Sequence, residues 1–310
     1  MTMASNSTNT VYVVTGGNRG IGLGLVKALV ARAHSTVFAT VRNDKSQSSL
    51  EAALEGVPRG DNSTISIVQL DFSTALSPEH IRAAFDIDRV DVLINNAAIS
   101  PPSYPALEIP ISDLRSSFEI NTIGPLTVTQ GLWPYLKRSS APKVVNVSSS
   151  VGCITFQEVV AGAYGPSKAA LNWLTQALHL QNEGLVAFAL HPGFVSTEMG
   201  DSAATEWGFP LSMLESVESS VEGMLKIIDG ATREKTSGKF ITNKGQELAC
   251  KYTDPITSTE LLVTNTYLPS FITFADQKNT NHGAAEFPKG TTSTLRGVGM
   301  CQMGVFGGVL

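Results

Sequence analysis

Charge is scarce in this sequence. Of 310 residues, 16% are Asp, Glu, Lys or Arg, against 42% hydrophobic. A chain with that much apolar material has enough for a core and is not disordered as a whole. Basic residues are not in surplus. The 22 Lys and Arg face 27 Asp and Glu, for a net charge of −5. That balance argues against a nucleic-acid partner, because a phosphate-binding surface needs excess cations. Cysteine is rarer still. Cys153, Cys250 and Cys301 are the only three. They are too few and too scattered for a disulfide framework or a zinc site, and they suit a reducing compartment. No metal site is expected. No apolar run reaches the ~20 residues of a membrane span. Residues 1–10 are polar and uncharged, without the basic and apolar regions of a secretory signal. The expectation is a cytoplasmic protein with no membrane partner.

What is present alternates two periods. Apolar runs rich in β-branched residues occupy residues 11–15, 36–41, 65–70, 90–95, 143–148 and 185–190, with a short seventh at 239–242. Between them apolar residues recur at helical spacing, first at Ile21, Leu25, Ala28 and Leu29, then over residues 112–138, 164–182 and 215–232. Ser77-Pro78-Glu79 reads as a helix start, with Ser as cap and Pro in the first turn. Strands separated by helices imply βαβ units. The fourth and fifth runs are apolar on both faces, as a sheet covered on both sides requires. The fold class expected is therefore α/β, a single doubly wound (Rossmann) parallel sheet with helices on both faces.

Length alone suggests two domains of ~150 residues. The periodicity instead gives a polar N-terminal tail over 1–10, one domain over 11–250, and an extension over 251–310. That extension has four basic residues, four acidic, ten Thr and seven Gly, with no period that builds a domain. It reads as irregular or disordered, with a segment docking on a dimer edge as the alternative.

The first strand runs into Thr15-Gly16-Gly17-Asn18-Arg19-Gly20-Ile21-Gly22, followed by a helix. Glycines there let the chain turn tightly and let backbone N–H groups approach an anion, and the helix N-terminus adds partial positive charge. The arrangement suits the pyrophosphate of a dinucleotide. Tyr164 and Lys168 stand at i and i+4, on one face of the helix after the fifth strand. Ligands bind at the carboxyl ends of such strands.

On these motifs the chain, over roughly residues 10 to 250, resembles the short-chain dehydrogenase/reductase family. The resemblance places Gly16, Asn18, Arg19, Gly20, Ile21 and Gly22 around a nicotinamide dinucleotide. Asn95-Asn96-Ala97-Ala98 looks like the family's NNAG motif, with Ala98 in place of the usual Gly, so Asn95 and Ala97 join the cofactor set. Asp71 matches the acid beside the adenine ring. Pro192, Val195 and Thr197 match the PGxVxT segment that receives the carboxamide. The second strand ends in Thr40-Val41-Arg42 without the acid of NAD-dependent members. Arg42 and Arg19 stand where the family binds a 2′-phosphate, and charge-assisted hydrogen bonds to that group favour NADP(H).

The same resemblance implies the catalytic set. Tyr164 donates the proton to a ketone oxygen, and Lys168 lowers its pKa and binds the nicotinamide ribose. Ser149, aligned with the family's SSxxG, orients the carbonyl, with Ser148 and Ser150 as alternatives. Asn121 is the fourth member. Pro125 has no N–H, so the carbonyl of residue 121 loses its i+4 partner and is freed for a relay water. His191 reads as structural. Met199, Trp207, Phe209, Pro210, Met213 and Leu214 lie in a segment that is a lid in the family. Cys153, Ile154, Thr155 and Phe156 form an expected opposite wall.

Residues 10–43 and 219–245 resemble fungal ketoreductases of the norsolorinic acid type, and the first stretch also resembles sniffer-type carbonyl reductases. Either implies reduction of a small-molecule ketone by NADPH, with an aromatic polyketide as the leaning. A general carbonyl reductase and a silent NADP-sensing protein are the alternatives. Helices at 112–138 and 164–182 carry apolar residues beyond one stripe, and the family pairs these, so a homodimer or homotetramer is expected.

Overall fold

Alternation of side chains along each strand decides the architecture. A computed structural model describes residues 9–248 except 156 and 158. In it Val13 packs into one apolar core while its neighbours Tyr12 and Val14 enter another. Leu93, Val144 and Ala187 likewise face the first core, and Ile94, Val145 and Phe188 face the second. These central strands are buried on both sides, so helices must cover both faces, whereas an edge strand of the sheet leaves Thr64, Ser66 and Gln69 exposed.

Among the described residues seven strands result: β1 Thr10–Val14, β2 Ser35–Val41, β3 Thr64–Gln69, β4 Val92–Asn95, β5 Lys143–Val147, β6 Val186–His191 and β7 Phe240–Thr242. All pair in parallel, in the order β3-β2-β1-β4-β5-β6-β7. The helices are α1 Gly20–Val30, α2 Asp44–Leu54, α3 Pro78–Ala84, α4 Ile111–Phe118, α5 Gly124–Leu136, α6 Tyr164–Gln181, α7 Glu198–Trp207 and α8 Val217–Gly230. Leu25 and Leu29 of α1, Leu50 of α2 and Leu225 of α8 close one core. Ile81 of α3 and Val128, Leu132 and Leu136 of α5 close the other. This is the expected doubly wound α/β sheet.

Local signals set the boundaries. Ser77 caps α3, its Oγ accepting from His80 N at 3.2 Å, with Pro78 opening the helix. Asn43 caps α2 by accepting from Ser46 N at 3.0 Å. The periodic stretch read as one helix over 112–138 is two. Between α4 and α5 lies a π-helical turn, Glu119–Ile123, in which Gly124 N donates to Glu119 O. Pro125 cannot donate to residue 121, and a ladder shifted by one residue is how the chain passes that gap.

Two further points concern the ends and the cysteines. The chain divides into units Met1–Pro255 and Ile256–Leu310, and the second lies outside the described residues. So do the expected extension at 251–310 and most of the tail at 1–10. Cys153 is 1% exposed and disulfide-bonded, which corrects the expectation that the scattered cysteines stay reduced. Among the described residues no helix is long and apolar enough to cross a membrane.

Candidate active site

The strand order reverses between β1 and β4, and loops leaving neighbouring strands there diverge to opposite faces. The crevice they open is a cleft of about 1600 Å³. Its first wall is the glycine loop after β1. Gly16 has φ +69°, a left-handed conformation that costs glycine little. A Cβ on Gly22 would lie 2.0 Å from Gly16 O, so α1 approaches the loop as only glycine allows. Thr15 fixes the loop to β4: its Oγ1 accepts from Asn96 N at 2.9 Å and Ala97 N at 3.0 Å. Asn96 Nδ2 returns a bond to Thr15 O at 2.9 Å. The cradle of glycines and the bare helix N-terminus fit a dinucleotide pyrophosphate. Among the described residues no cluster of His, Cys, Asp and Glu is placed to hold a metal ion.

All the expected cofactor residues line the cleft except Asn95. Asn95 is 2% exposed. Its Nδ2 donates to Asn146 Oδ1 at 2.8 Å and to Thr129 Oγ1 at 3.3 Å, joining β4 to β5 and α5. Its assignment to the cofactor is corrected: the strand pleat turns Asn95 inward, and the next residue, Asn96, reaches the cleft. Arg19 also differs from expectation, because its guanidinium is ion-paired with Glu198 at the start of α7. Arg42 lies near Asp71. The Asp71 carboxyl is held below the usual range, first by the Ser73 hydroxyl and then by the Ser73 amide and the Arg42 charge, against desolvation.

The second wall carries the polar constellation. Of the three consecutive serines it is Ser149 whose hydroxyl acts on the Tyr164 phenol, lowering its pKa. Ser148 is buried, and among the described residues its Oγ has no partner. Lys168 is 2% exposed. Its Nζ donates to Val147 O at 2.8 Å and sits 5.5 Å from the centre of the Tyr164 ring. Burial pushes the Lys168 ammonium down to about 7. Burial likewise pushes the Tyr164 phenol up to about 12, partly opposed by the Ser149 hydrogen bond. The expected lowering of Tyr164 is therefore not what this environment produces: desolvation outweighs the Ser149 hydrogen bond. His191 is pushed by burial down to about 4 and is neutral near pH 7; it stacks edgewise on Phe240 at 6.4 Å.

Asn121 does not line the cleft. Its side chain is fully buried and fully used. Oδ1 accepts from Ile99 N at 2.9 Å, and Nδ2 donates to Ile99 O at 2.9 Å and to Ser167 Oγ at 3.0 Å. The π turn is thereby tied both to the loop after β4 and to α6.

The outer part of the cleft is apolar and aromatic. Phe194 lies 6.0 Å from Trp207 and 6.1 Å from Phe209. Trp207 Nε1 donates to Val160 O at 2.9 Å and Ser103 N to Glu206 Oε1 at 2.6 Å, so α7 is fastened to two other loops. Cys153 and Ile154 line the opposite wall; Phe156 lies outside the described residues. Glu215 escaped the sequence reading. It braces the loop after β6: its N donates to Phe194 O and its O accepts from Ser196 N, both at 2.8 Å, while Oε1 accepts from Asn243 Nδ2 at 3.0 Å. No local pattern marks such a residue.

The chain matches the short chain dehydrogenase family over residues 10–207. It is 36% identical over 249 residues to a norsolorinic acid ketoreductase of Dothistroma septosporum, covering 77% of this chain and 91% of that protein. A short-chain dehydrogenase of Pyricularia oryzae is 34% identical, covering 76% and 96%. Among solved structures, an NADPH-bound carbonyl reductase from chicken fatty liver aligns with a TM-score of 0.66 at 30% identity, over 78% and 94% of the chains. The carbonyl reductase Sniffer of D. melanogaster aligns with 0.67 at 27%, over 78% and 99%.

The buried ammonium has a measurable consequence. Lys168 is depressed from 10.5 to about 7 in the fold. As pH falls from 10.5 towards 7 the unfolded chain binds the proton more tightly, so stability declines and the penalty is complete below about 7. Lys168→Met should raise the unfolding free energy by about 1–3 kcal/mol at neutral pH. The gain should shrink at alkaline pH, as read by urea denaturation. A variant less stable than wild type at neutral pH would contradict the account.

Proposed function

This chain belongs to the short chain dehydrogenase family, and we propose that within it the protein reduces a ketone to an alcohol using NADPH, on an apolar, aromatic, polyketide-like substrate. The coarser statement needs no proposal: it is an oxidoreductase of the alcohol/carbonyl couple that uses a nicotinamide cofactor. The observation that carries the finer reading is the pairing of the Ser149–Tyr164–Lys168 cluster with an aromatic outer cleft.

The chain's own residues divide the work. The glycine loop and the start of α1 hold the pyrophosphate, Arg42 the 2′-phosphate, and Pro192, Val195 and Thr197 the carboxamide. When bound, the reduced nicotinamide supplies the hydride. Ser149 donates a hydrogen bond to the substrate carbonyl oxygen, which stabilises negative charge as it develops. Tyr164, a neutral phenol at pH 7, gives that oxygen its proton. Lys168 then favours the resulting phenolate by its charge, at a distance where a buried pair is weakly screened. The Asn121 carbonyl holds the water that returns a proton to this pair, while its side chain keeps the turn in place. Phe194, Trp207 and Phe209 offer faces and edges to a planar substrate.

Assembly as a homodimer or homotetramer is part of this reading. Trp173 and Leu180, two turns apart on one face of α6, are 70% and 66% exposed. Exposed apolar residues grouped in this way favour a protein partner, here a second copy.

Three results are expected. Tyr164→Phe should lower kcat by about 10²–10⁴-fold and leave NADPH affinity within about twofold, as general acid–base loss predicts; near-normal turnover would sink the mechanism. Arg42→Ala should raise the NADPH KM by about tenfold with little effect on NADH, and equal effects would defeat the NADP assignment. Trp173→Glu should halve the mass seen by light scattering; a wild-type monomer would refute the assembly. A panel of aromatic polyketide ketones and simple aliphatic carbonyls separates the substrate reading from a general carbonyl reductase, which would turn over both equally.

A further inference from the structure

The phosphate loop meets a counter-charge contributed by the lid. Arg19, the residue capping α1, is ion-paired with Glu198, the first residue of α7. The partners are 179 residues apart in sequence. Their meeting follows from the fold: a side chain built at position 20 would lie 3.3 Å from Thr197 Cγ2, so the start of the lid rests on the loop. Both residues line the cleft. Their side chains are 65% and 78% exposed, so the pair is open to solvent and to an incoming anion.

Glu198 is held at this edge independently of Arg19. Thr197 Oγ1 caps α7 by accepting from Gly200 N at 3.0 Å, and a carboxylate in the first turn is favoured by the helix dipole. Arg19, by contrast, has one guanidinium for two uses. A phosphate group accepts from it in a charge-assisted, two-pronged geometry, whereas an exposed carboxylate pair is weak and screened by salt. The phosphate therefore wins the exchange, but against opposition. The pair must break, and Glu198 is left as a negative charge beside the added one.

Resting on the reading that the cleft binds NADP(H), we propose that Glu198 is an affinity-setting residue that competes with a cofactor phosphate for Arg19. Its presence loosens the cofactor relative to what Arg19 alone would give, and so favours its release, a kind of step that limits many enzymes. The chemistry required is that of a phosphate oxyanion. The 2′-phosphate and the pyrophosphate are the two sources within one cofactor, and the test separates them.

The experiment measures dissociation constants by fluorescence titration for NADPH, NADH and 2′,5′-ADP, with wild type, Glu198→Gln, Arg19→Ala and the double variant. Glu198→Gln should tighten NADPH by about three- to tenfold at low salt, and the gain should diminish at about 0.5 M salt. In the Arg19→Ala background the gain should vanish. Tightening of NADPH and 2′,5′-ADP but not NADH supports the competition through the 2′-phosphate. Tightening of NADPH and NADH alike supports it through the pyrophosphate. Unchanged or weaker binding by Glu198→Gln overturns the proposal and leaves the cofactor reading intact. So does an equal gain without Arg19, which would mean general charge repulsion. Failure of wild type to bind either dinucleotide overturns the cofactor reading and this inference together.

Discussion

A buried ammonium is the constraint around which the catalytic half of the molecule is arranged. Lys168 is 2% exposed, and its Nζ donates to the carbonyl of Val147, the last residue of β5. An unpaired buried charge is costly, so the elements around it are held closely. A Cβ on Gly152 would lie 2.8 Å from the Lys168 carbonyl carbon, so the turn that follows Ser149 is packed directly on α6. The Asn121 clamp adds the π turn to the same assembly through Ser167, the residue before Lys168. β5, the serine turn, α6 and the π turn are thus mutually fixed near one cation.

That arrangement accounts for the opposite displacements of Tyr164 and Lys168. Desolvation disfavours whichever form is charged. It raises the phenol and lowers the ammonium, so the two side chains, adjacent on one helix face, are driven further apart in acidity than in water, and both lean towards their neutral forms. The cation does not need to create a phenolate in advance. It needs to stand where a phenolate will form.

The periodicity of the sequence located every strand described within about two residues, because burial on both faces of the central strands leaves runs of β-branched residues. Glycine spacing located the phosphate loop, and the four-residue interval located Tyr164 and Lys168 on one helix face. Where the reading failed, the reasons are specific. The helix at 112–138 was broken by a π turn because one missing N–H at Pro125 shifts the ladder, a change that hydrophobic spacing does not register. Asn95 and Asn96 are indistinguishable as a doublet, and the pleat decides which of them faces the cleft. α7 has little apolar periodicity of its own and owes its position to Trp207, Glu206 and Glu198, each bonded to a distant loop.

The sequence by itself determined the family, the parallel sheet, the phosphate loop and the Tyr–Lys pair, since each is written in residues close together along the chain. Only the tertiary structure decided that Ser149 among three serines meets Tyr164, that Asn121 spends its side chain on Ile99 and Ser167, that Cys153 is disulfide-bonded, and that Arg19 is already paired. These depend on contacts across tens to hundreds of residues and on the loss of water around them. Spacing along the chain carries information about local geometry. It carries none about which distant charge a guanidinium will meet when the sheet closes and α7 folds back over it.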